Sequence, residues 1–155
     1  MFHVEQTQFV VDLIDRSSTF GIELSQAQAF SCDAYCDEML RWNEKVNLTS
    51  ITDKREIAIK HFVDSFACVR ALNQTDDAML LDVGSGAGFP GLPLKILRPG
   101  LTVTLLEPNG KKTAFLRHVI GKLDLKKISV VSKTLSEFAA DVKDAGRFTY
   151  VVTRA

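Results

Sequence analysis

The stretch Leu80-Leu81-Asp82-Val83-Gly84-Ser85-Gly86-Ala87-Gly88-Phe89-Pro90-Gly91 decides the fold, because an apolar strand ends in an acidic residue and passes into a glycine-rich loop. Glycine allows positive φ and lets a ligand approach the main chain closely. A loop of this kind at the carboxyl end of a parallel strand is the usual place for a nucleotide-like cofactor. The sequence therefore predicts an α/β domain with its cofactor site at this loop.

Details of the loop favour one class of cofactor. Residues 86–91 fit the dinucleotide fingerprint G-x-G-x-x-G, but that match alone is weak. A pyrophosphate needs free N–H groups at a helix N-terminus and no anion nearby. Here Asp82 ends the strand, and Pro90 and Pro93 remove N–H donors from the helix that follows. This pattern favours a cationic ligand without phosphates, and S-adenosylmethionine (AdoMet) fits best. The predicted contacts are Asp82, Gly84, Gly86 and Gly88.

A second acidic residue supports a nucleoside ligand. The apolar run 101–106 ends at Glu107, about twenty residues beyond the glycines, where a carboxylate can accept hydrogen bonds from both ribose hydroxyls. NAD and AdoMet enzymes share this contact, so Glu107 does not choose between them. An ordinary βαβ unit with a tight turn and a solvated Glu107 is the alternative that both features together disfavour.

The first part of the chain has the pattern of amphipathic helices. One is predicted over about 6–20, ending at Gly21. Capping motifs over 25–28 and 53–56 predict the starts of two more, and the last should run to about residue 72. Its expected buried stripe consists of Ile59, Phe62, Val63 and Phe66.

The periodicity changes after the polar joint 73–77, so we place a boundary between a helical N-terminal cap (1–76) and an α/β domain (77–155). In the second part, strands are expected over 79–83, 101–106, 128–131 and 148–152, with helices to residue 97, over 111–123 and over 136–143. This order implies parallel strands arranged 3-2-1-4. Because the fourth strand would be an open edge, we expect the sheet to be incomplete and the chain to be a fragment.

Composition limits the class of protein. With 155 residues, 46% hydrophobic content and zero formal net charge, the chain can form a core but has no global basic field, so any RNA contact must be a local patch. Neither an export signal nor a bilayer-spanning apolar stretch is apparent, which predicts a cytoplasmic protein without a membrane partner. Cys32, Cys36 and Cys68 are expected to be free thiols, and no metal site is predicted because Cys32 and Cys36 lack a second ligand pair.

Several further motifs occur in a fixed order from about Tyr35 to Ala155. They are Trp42-Asn43 with Asn47-Leu48-Thr49, His61 with Asp64-Ser65, the glycine loop through Phe89-Pro90-Gly91, Lys111-Lys112 with Phe115-Leu116, and Thr153-Arg154-Ala155. In these motifs the chain resembles the bacterial 16S rRNA guanine-N7 methyltransferases of the RsmG (GidB) family.

The resemblance implies a class I (Rossmann-like) methyltransferase fold with AdoMet as donor. Its acceptor would be one guanine of 16S rRNA, presented as RNA or as the small ribosomal subunit. Carried over by position, the AdoMet contacts of the family fall on Gly84, Phe89, Leu135, Ser136 and Arg154. A monomer is expected.

The chain departs from the family in two respects. The family usually has Arg and Glu where this chain has Thr134 and Ser136, so the pair Leu135-Ser136 keeps the family's AdoMet contacts where the backbone makes them. Family members also continue through further strands and helices. A chain without them is expected to bind AdoMet poorly or to lack part of the RNA surface.

Guanine N7 carries a lone pair and no proton, so its methylation is a direct displacement without a general base. We therefore predict no catalytic acid or base, and expect catalysis to come from alignment of the reactants in a dry site. Candidate RNA contacts are His61, Lys111, Lys112 and Arg117. His61 on a helix face is more often a packing or capping residue, and the lysines are equally typical of a solvated face.

Two other functions remain open. The first is an NAD-type oxidoreductase, which predicts that phosphate-bearing dinucleotides compete for the site. Asp82 and the two prolines disfavour this function. A non-catalytic module that binds RNA or the ribosome would bind RNA independently of AdoMet.

Overall fold

The computed structural model describes residues 5–73, 77–141, 143 and 145–154. Helix α1 spans Gln8–Thr19 and helix α2 spans Gln26–Asn43. Helix α3 covers 54–71 and is continuous through four segments, which are α-helical Lys54–Ile57, π-helical Ala58–Val63, α-helical Asp64–Ala67 and 3-10 helical Cys68–Ala71. No helix in these ranges is long and apolar enough to cross a membrane.

The starts of these helices follow from local capping. The Ser25 hydroxyl accepts from the Gln28 N–H at 3.1 Å, and the Gln28 side chain accepts from the Ser25 N–H at 3.0 Å, which completes the predicted capping box. Asp53 accepts from the Glu56 N–H at 2.9 Å. After α1, Gly21 takes φ +71°, the left-handed value typical of a helix C-terminus. The predicted starts and the end at Gly21 are therefore confirmed.

The predicted buried stripe of α3 is wrong at one position. Phe62, Val63 and Phe66 are buried as expected, but Ile59 is 37% exposed. In a π-helical turn each N–H bonds to the carbonyl five residues earlier, so the α-helical spacing does not continue through it. Ile57 and Ala58 take the core positions instead.

The sheet has the predicted arrangement. Strands β1 (Met79–Val83), β2 (Thr102–Leu106), β3 (Ile128–Val131) and β4 (Tyr150–Thr153) are parallel in the order β3-β2-β1-β4. Helices α4 (Gly91–Leu97), α5 (Gly110–Lys122) and α6 (Leu135–Asp141) connect them, with a 3-10 turn at Ala145–Arg147. The fourth strand begins at Tyr150, two residues later than predicted. Residues 74–76 of the predicted joint and residue 142 of the predicted last helix lie outside the described residues.

The two faces of the sheet are covered unequally. Neighbouring residues of a strand point to opposite faces, so Leu80 packs into the main core whereas Leu81 packs with Leu106 and Phe138. The main core joins residues of α1, α2 and α3 to residues of β1, β2, α4 and α5. The helical segment thus packs directly onto the sheet-containing segment, and the carboxyl ends of β1, β2 and β4 lie at one edge beside α3.

Candidate functional site

The loop after β1 turns sharply over the end of β2. The N–H groups of Gly84 and Ser85 both donate to the Leu106 carbonyl, at 2.8 and 3.0 Å. Gly84 and Gly86 take φ +68° and +57°, which L side chains rarely adopt. No atom lies within 4 Å of a Cβ added at Gly84, and only the Gly84 carbonyl is near one at Gly86. The loop backbone is therefore open to a ligand at these two glycines.

Two other loop glycines are needed for packing. A Cβ on Gly88, at φ +106°, would collide with the Tyr35 hydroxyl and the Leu92 side chain, and a Cβ on Gly91 would lie 2.6 Å from Asp82 Oδ2. Gly88 was predicted as a cofactor contact, but the structure places it against Tyr35 and Leu92 and outside the cleft lining.

Asp82 lies beneath the loop and is fully buried. Its Oδ2 accepts from the Gly91 N–H at 2.9 Å, whereas Oδ1 has no hydrogen-bond partner among the described residues. Burial raises the pKa of this carboxyl from 3.8 to about 6, against the lowering effect of the Gly91 hydrogen bond. Asp82 does not line the cleft, so its charge reaches a ligand only through the loop.

The contact between Asp82 and Gly91 also blocks the start of α4. The Gly91 N–H is taken by Asp82, and the Leu92 N–H donates to the Gly88 carbonyl at 2.7 Å. Pro93 has no N–H. The first turn of α4 therefore offers a phosphate no free donor, as the sequence predicted.

Glu107 follows β2 and connects two loops. It is 6% exposed, its Oε1 accepts from the Gly86 N–H at 3.0 Å, and its Oε2 accepts from the Asn109 N–H at 2.8 Å. Each carboxylate oxygen retains acceptor capacity beyond these bonds. Glu107 thus fixes the glycine loop and retains lone pairs for a further donor, although it does not itself line the cleft beside the loop.

A cleft of about 150 Å³ opens at this edge of the sheet. Its lining comes from the glycine loop, the segment before α3, α3 itself and the end of β4, and comprises Leu48, His61, Gly84, Ser85, Gly86, Ala87, Phe89 and Arg154. Five predicted site residues, Gly84, Gly86, Phe89, Arg154 and His61, therefore meet in one cleft.

His61 and Arg154 form the polar wall of the cleft. Arg154 Nη2 lies 2.9 Å from His61 Nδ1, and Thr49 Oγ1 lies 2.8 Å from His61 Nε2. Because Arg only donates, Nδ1 must accept, which places the ring proton on Nε2 and directs it to Thr49. Burial, and then the positive charge of Arg154, lower the pKa of His61 to about 4. The imidazole is therefore neutral at pH 7.

Aromatic packing holds the other wall. The Phe89 ring stacks on Tyr35 with centroids 5.2 Å apart and on His61 with centroids 4.7 Å apart. The Arg154 guanidinium lies 5.4 Å from the Phe89 ring centre. The Tyr35 hydroxyl donates to the Ala87 carbonyl at 2.5 Å. Phe89 thus couples the loop to α2, α3 and the end of β4.

The remaining predicted residues lie outside the cleft lining. Leu135 and Ser136 are exposed at the start of α6, after β3, and Lys111, Lys112 and Arg117 lie on α5. Leu135, Ser136, Lys111 and Lys112 are near the same carboxyl edge, because β3 and β2 end there. Among the described residues, no group of three His, Cys, Asp or Glu side chains is arranged to hold a metal ion.

Sequence reasoning missed two residues that shape the site, Tyr35 and Thr49. Tyr35 contacts the loop across 52 positions of sequence and Thr49 contacts His61 across 12. Thr49 belongs to the motif Asn47-Leu48-Thr49, which was the available signal. For Tyr35 the only local signal was its aromatic side chain within the second amphipathic helix, which does not distinguish it from an ordinary core residue.

Comparison with known proteins gives a consistent result. Residues 28–155 match the family model GidB, described as rRNA small subunit methyltransferase G. A protein named ribosomal RNA small subunit methyltransferase G from Roseiflexus castenholzii is 44% identical over 93% of this chain and 61% of its own length. One of the same name from Desulfitobacterium hafniense is 46% identical over 87% of this chain and 55% of its own length.

Among solved structures, precorrin-6y C5,15-methyltransferase from Geobacter metallireducens aligns at 20% identity with a TM-score of 0.48, over 66% of this chain and 49% of that chain. The chain spans about 60% of the length of the first curated relatives that it matches. With its family model covering residues 28–155, the chain belongs to the GidB family, the rRNA small subunit methyltransferase G proteins.

Proposed function

We propose that this chain is the AdoMet-binding part of an enzyme that methylates N7 of one guanine in 16S rRNA. The observation that carries the proposal is the cleft, where the open glycine backbone is held by the neighbouring Glu107 and the first turn of α4 has no free N–H donor for phosphate. Family membership supports methyl transfer to small-subunit rRNA. The preference for AdoMet rests on the chemistry of the cleft.

The residues present fit AdoMet. Gly84 and Gly86 offer open backbone, Glu107 offers acceptors for ribose hydroxyls, and the buried Asp82 carboxylate beneath the loop favours a cation above it. Phe89 and Arg154 also line the cleft and would contact the ligand there. Leu135 and Ser136 would approach its adenine from the start of α6.

The reaction needs little from the side chains beyond position. Bound AdoMet supplies an electrophilic methyl group, and guanine N7 attacks it with a lone pair that needs no deprotonation. The neutral His61, held between Thr49 and Arg154, is therefore suited to positioning and not to proton transfer. The Arg154 guanidinium lines the cleft and would contact an RNA phosphate that approaches it.

The two alternatives are less well supported. An NAD enzyme would need donors for a pyrophosphate, and the first turn of α4 has none free. A module that only binds RNA would have no use for the open glycines and the buried carboxylates at one cleft. We further propose a cytoplasmic monomer in which a helical cap, 1–76, packs on the AdoMet-binding domain, 77–155.

A methyl-transfer assay tests the function. The protein is incubated with AdoMet labelled in the methyl group and with either naked 16S rRNA or small subunits, and the digested RNA is separated by nucleoside. We expect label in 7-methylguanosine, with less label from the Glu107→Ala variant and an unchanged amount from Lys126→Gln, whose exposed side chain pairs with Asp124 on the surface. Label in another nucleoside, or none with both substrates, would contradict the proposal.

A further inference from the structure

A second cavity lies at the end of α2, away from the cleft. It has a volume of about 400 Å³ and is lined by Arg41, Trp42, Glu44, Lys45 and Val46. This exceeds the cleft, at about 150 Å³, and falls within the range of roughly 300–1,000 Å³ typical of small-molecule pockets. We call it the Trp42 pocket.

The indole of Trp42 is supported on one side and open on another. Its ring centroid lies 5.7 Å from that of Phe115, in an edge-to-face arrangement, and 5.1 Å from that of His118. The residue is only half-buried and lines the cavity. Trp42 therefore presents a rigid aromatic surface, held by α5, to whatever enters the pocket.

Positive charge exceeds negative charge beside this surface. Arg41 is 68% exposed, and Lys45 is also exposed at the cavity. Beside it, the buried Glu38 carboxylate contacts His118 at 2.7 Å, Lys122 at 2.5 Å and Arg41 at 3.1 Å. The Glu38 carboxylate is thus already paired, and among the residues that line the pocket the two cations Arg41 and Lys45 outnumber the single carboxylate Glu44.

The Trp42 pocket is close to the cleft along the chain. Asn43 Oδ1 accepts from the N–H groups of Leu48 and Thr49, at 2.8 and 3.0 Å, which folds the connecting loop back. Leu48 lines the cleft. Leu48 is six positions after Trp42, so their Cα atoms are at most about 22 Å apart. The same RNA strand can therefore reach both places.

We propose that the Trp42 pocket binds an unpaired base of the RNA substrate near the target guanine, by stacking on the Trp42 indole while Arg41 and Lys45 contact the adjoining phosphates. This inference rests on the proposed function, because it assumes an RNA substrate. An aromatic side chain flanked by cations is the arrangement that binds single-stranded nucleic acid through its bases and backbone. A duplex, with its bases stacked and paired, does not fit.

Fluorescence gives a direct test, because Trp42 is the single tryptophan of the chain. The whole protein is titrated with a single-stranded oligoadenylate of about twelve nucleotides, a length within the range that one binding domain covers. We expect saturable quenching of Trp42 emission by the single strand and none by a blunt RNA duplex of equal length. Absence of quenching by the single strand would overturn the inference.

Variants separate stacking from charge. With a dye-labelled oligoadenylate, Trp42→Leu should weaken binding about tenfold, equal to about 1.4 kcal/mol, and Trp42→Phe should retain most of the affinity because it keeps an aromatic face. Arg41→Gln should weaken binding more than Lys126→Gln, which removes one positive charge in the connection between α5 and β3, where Lys126 pairs with Asp124. Equal affinities for Trp42→Leu and the parent protein would overturn the inference, provided that circular dichroism shows a folded variant.

AdoMet calorimetry on the same variants distinguishes the two proposals. Trp42→Leu should bind AdoMet as the parent does, since Trp42 lies outside the cleft lining. Quenching by RNA in a protein that never binds AdoMet would contradict the proposed function and leave the Trp42 pocket supported. AdoMet binding without RNA quenching would do the reverse.

Discussion

Replacing Asp82 by Asn should stabilise the protein at neutral pH and weaken its cofactor site. The Asp82 carboxyl is fully buried, its Oδ1 has no partner among the described residues, and burial raises its pKa from 3.8 to about 6. An ionised carboxylate in this position is costly, and the amide of Asn carries no charge while keeping an acceptor for the Gly91 N–H.

The magnitude follows from the pKa difference of Asp82. A folded-state pKa raised by about 2 units corresponds to about 3 kcal/mol, at 1.36 kcal/mol per unit. Because the folded state binds the proton more tightly than the unfolded state, stability is lost as the pH rises from about 4 to about 6. Below that window both states are protonated and the penalty is absent, and above it the penalty is complete.

Urea unfolding of the parent protein and of Asp82→Asn, from pH 4 to pH 8, measures this effect. The difference in the free energy of unfolding between the two proteins should be small at pH 4, grow in favour of Asn up to about pH 6.5, and stay constant above it. Comparing the two proteins cancels the titration of all other groups. A difference that does not vary with pH, or a variant less stable at pH 8, would refute the reasoning. By calorimetry, the same variant should bind AdoMet more weakly.

Gly88→Ala should lose about 2 kcal/mol or more in urea unfolding, because Gly88 has φ +106° and a Cβ there would collide with Tyr35 and Leu92. Gly121→Ala, in α5 with open space around it, should be neutral or stabilising. Arg154→Gln should raise the pKa of His61 from about 4 toward its ordinary 6.5, as followed by NMR titration of the ring, since it removes the adjacent cation; burial keeps the shift partial. At pH 8 a thiol reagent should modify Cys68 before the other two cysteines. Burial raises the pKa of the Cys36 thiol to about 12, and Cys32 is fully buried, whereas Cys68 is only half-buried. An unshifted His61, or Cys32 reacting first, would count against the packing described here.

The features that sequence predicted well are those controlled by neighbouring residues. The capping box of α2, the bounds of β1 and β3 and the end of α4 depend on local hydrogen bonds and on short apolar runs. Strand order followed from the right-handed crossover rule applied to that succession. The position of Glu107 beside the glycine loop, where it accepts from the Gly86 N–H, followed from the same rule, because parallel strands end at a common edge.

The features that it missed depend on contacts between distant parts of the chain. Ile59 was assigned to the core because no local sequence signal indicates the π-helical turn in α3. Phe62, in this turn, and Phe66, just after it, are both buried in the core. Tyr35 resembled any other apolar position of α2, yet its hydroxyl bonds to the loop. Asp82 was expected at the ligand surface, but its carboxylate turns inward and accepts from the Gly91 N–H. The spacing of residues in the sequence does not show whether this side chain faces the ligand or Gly91.

Calorimetric titration of the chain with AdoMet, with NAD as the control ligand at the same salt concentration, tests the central claim most directly. We predict saturable binding of one AdoMet, no binding of NAD, and loss of AdoMet affinity in Gly86→Asp and Glu107→Ala, which alter the open loop and its carboxylate neighbour. Competition by NAD for the same site, or AdoMet binding that neither variant changes, would contradict the claim that this cleft is the methyl-donor site.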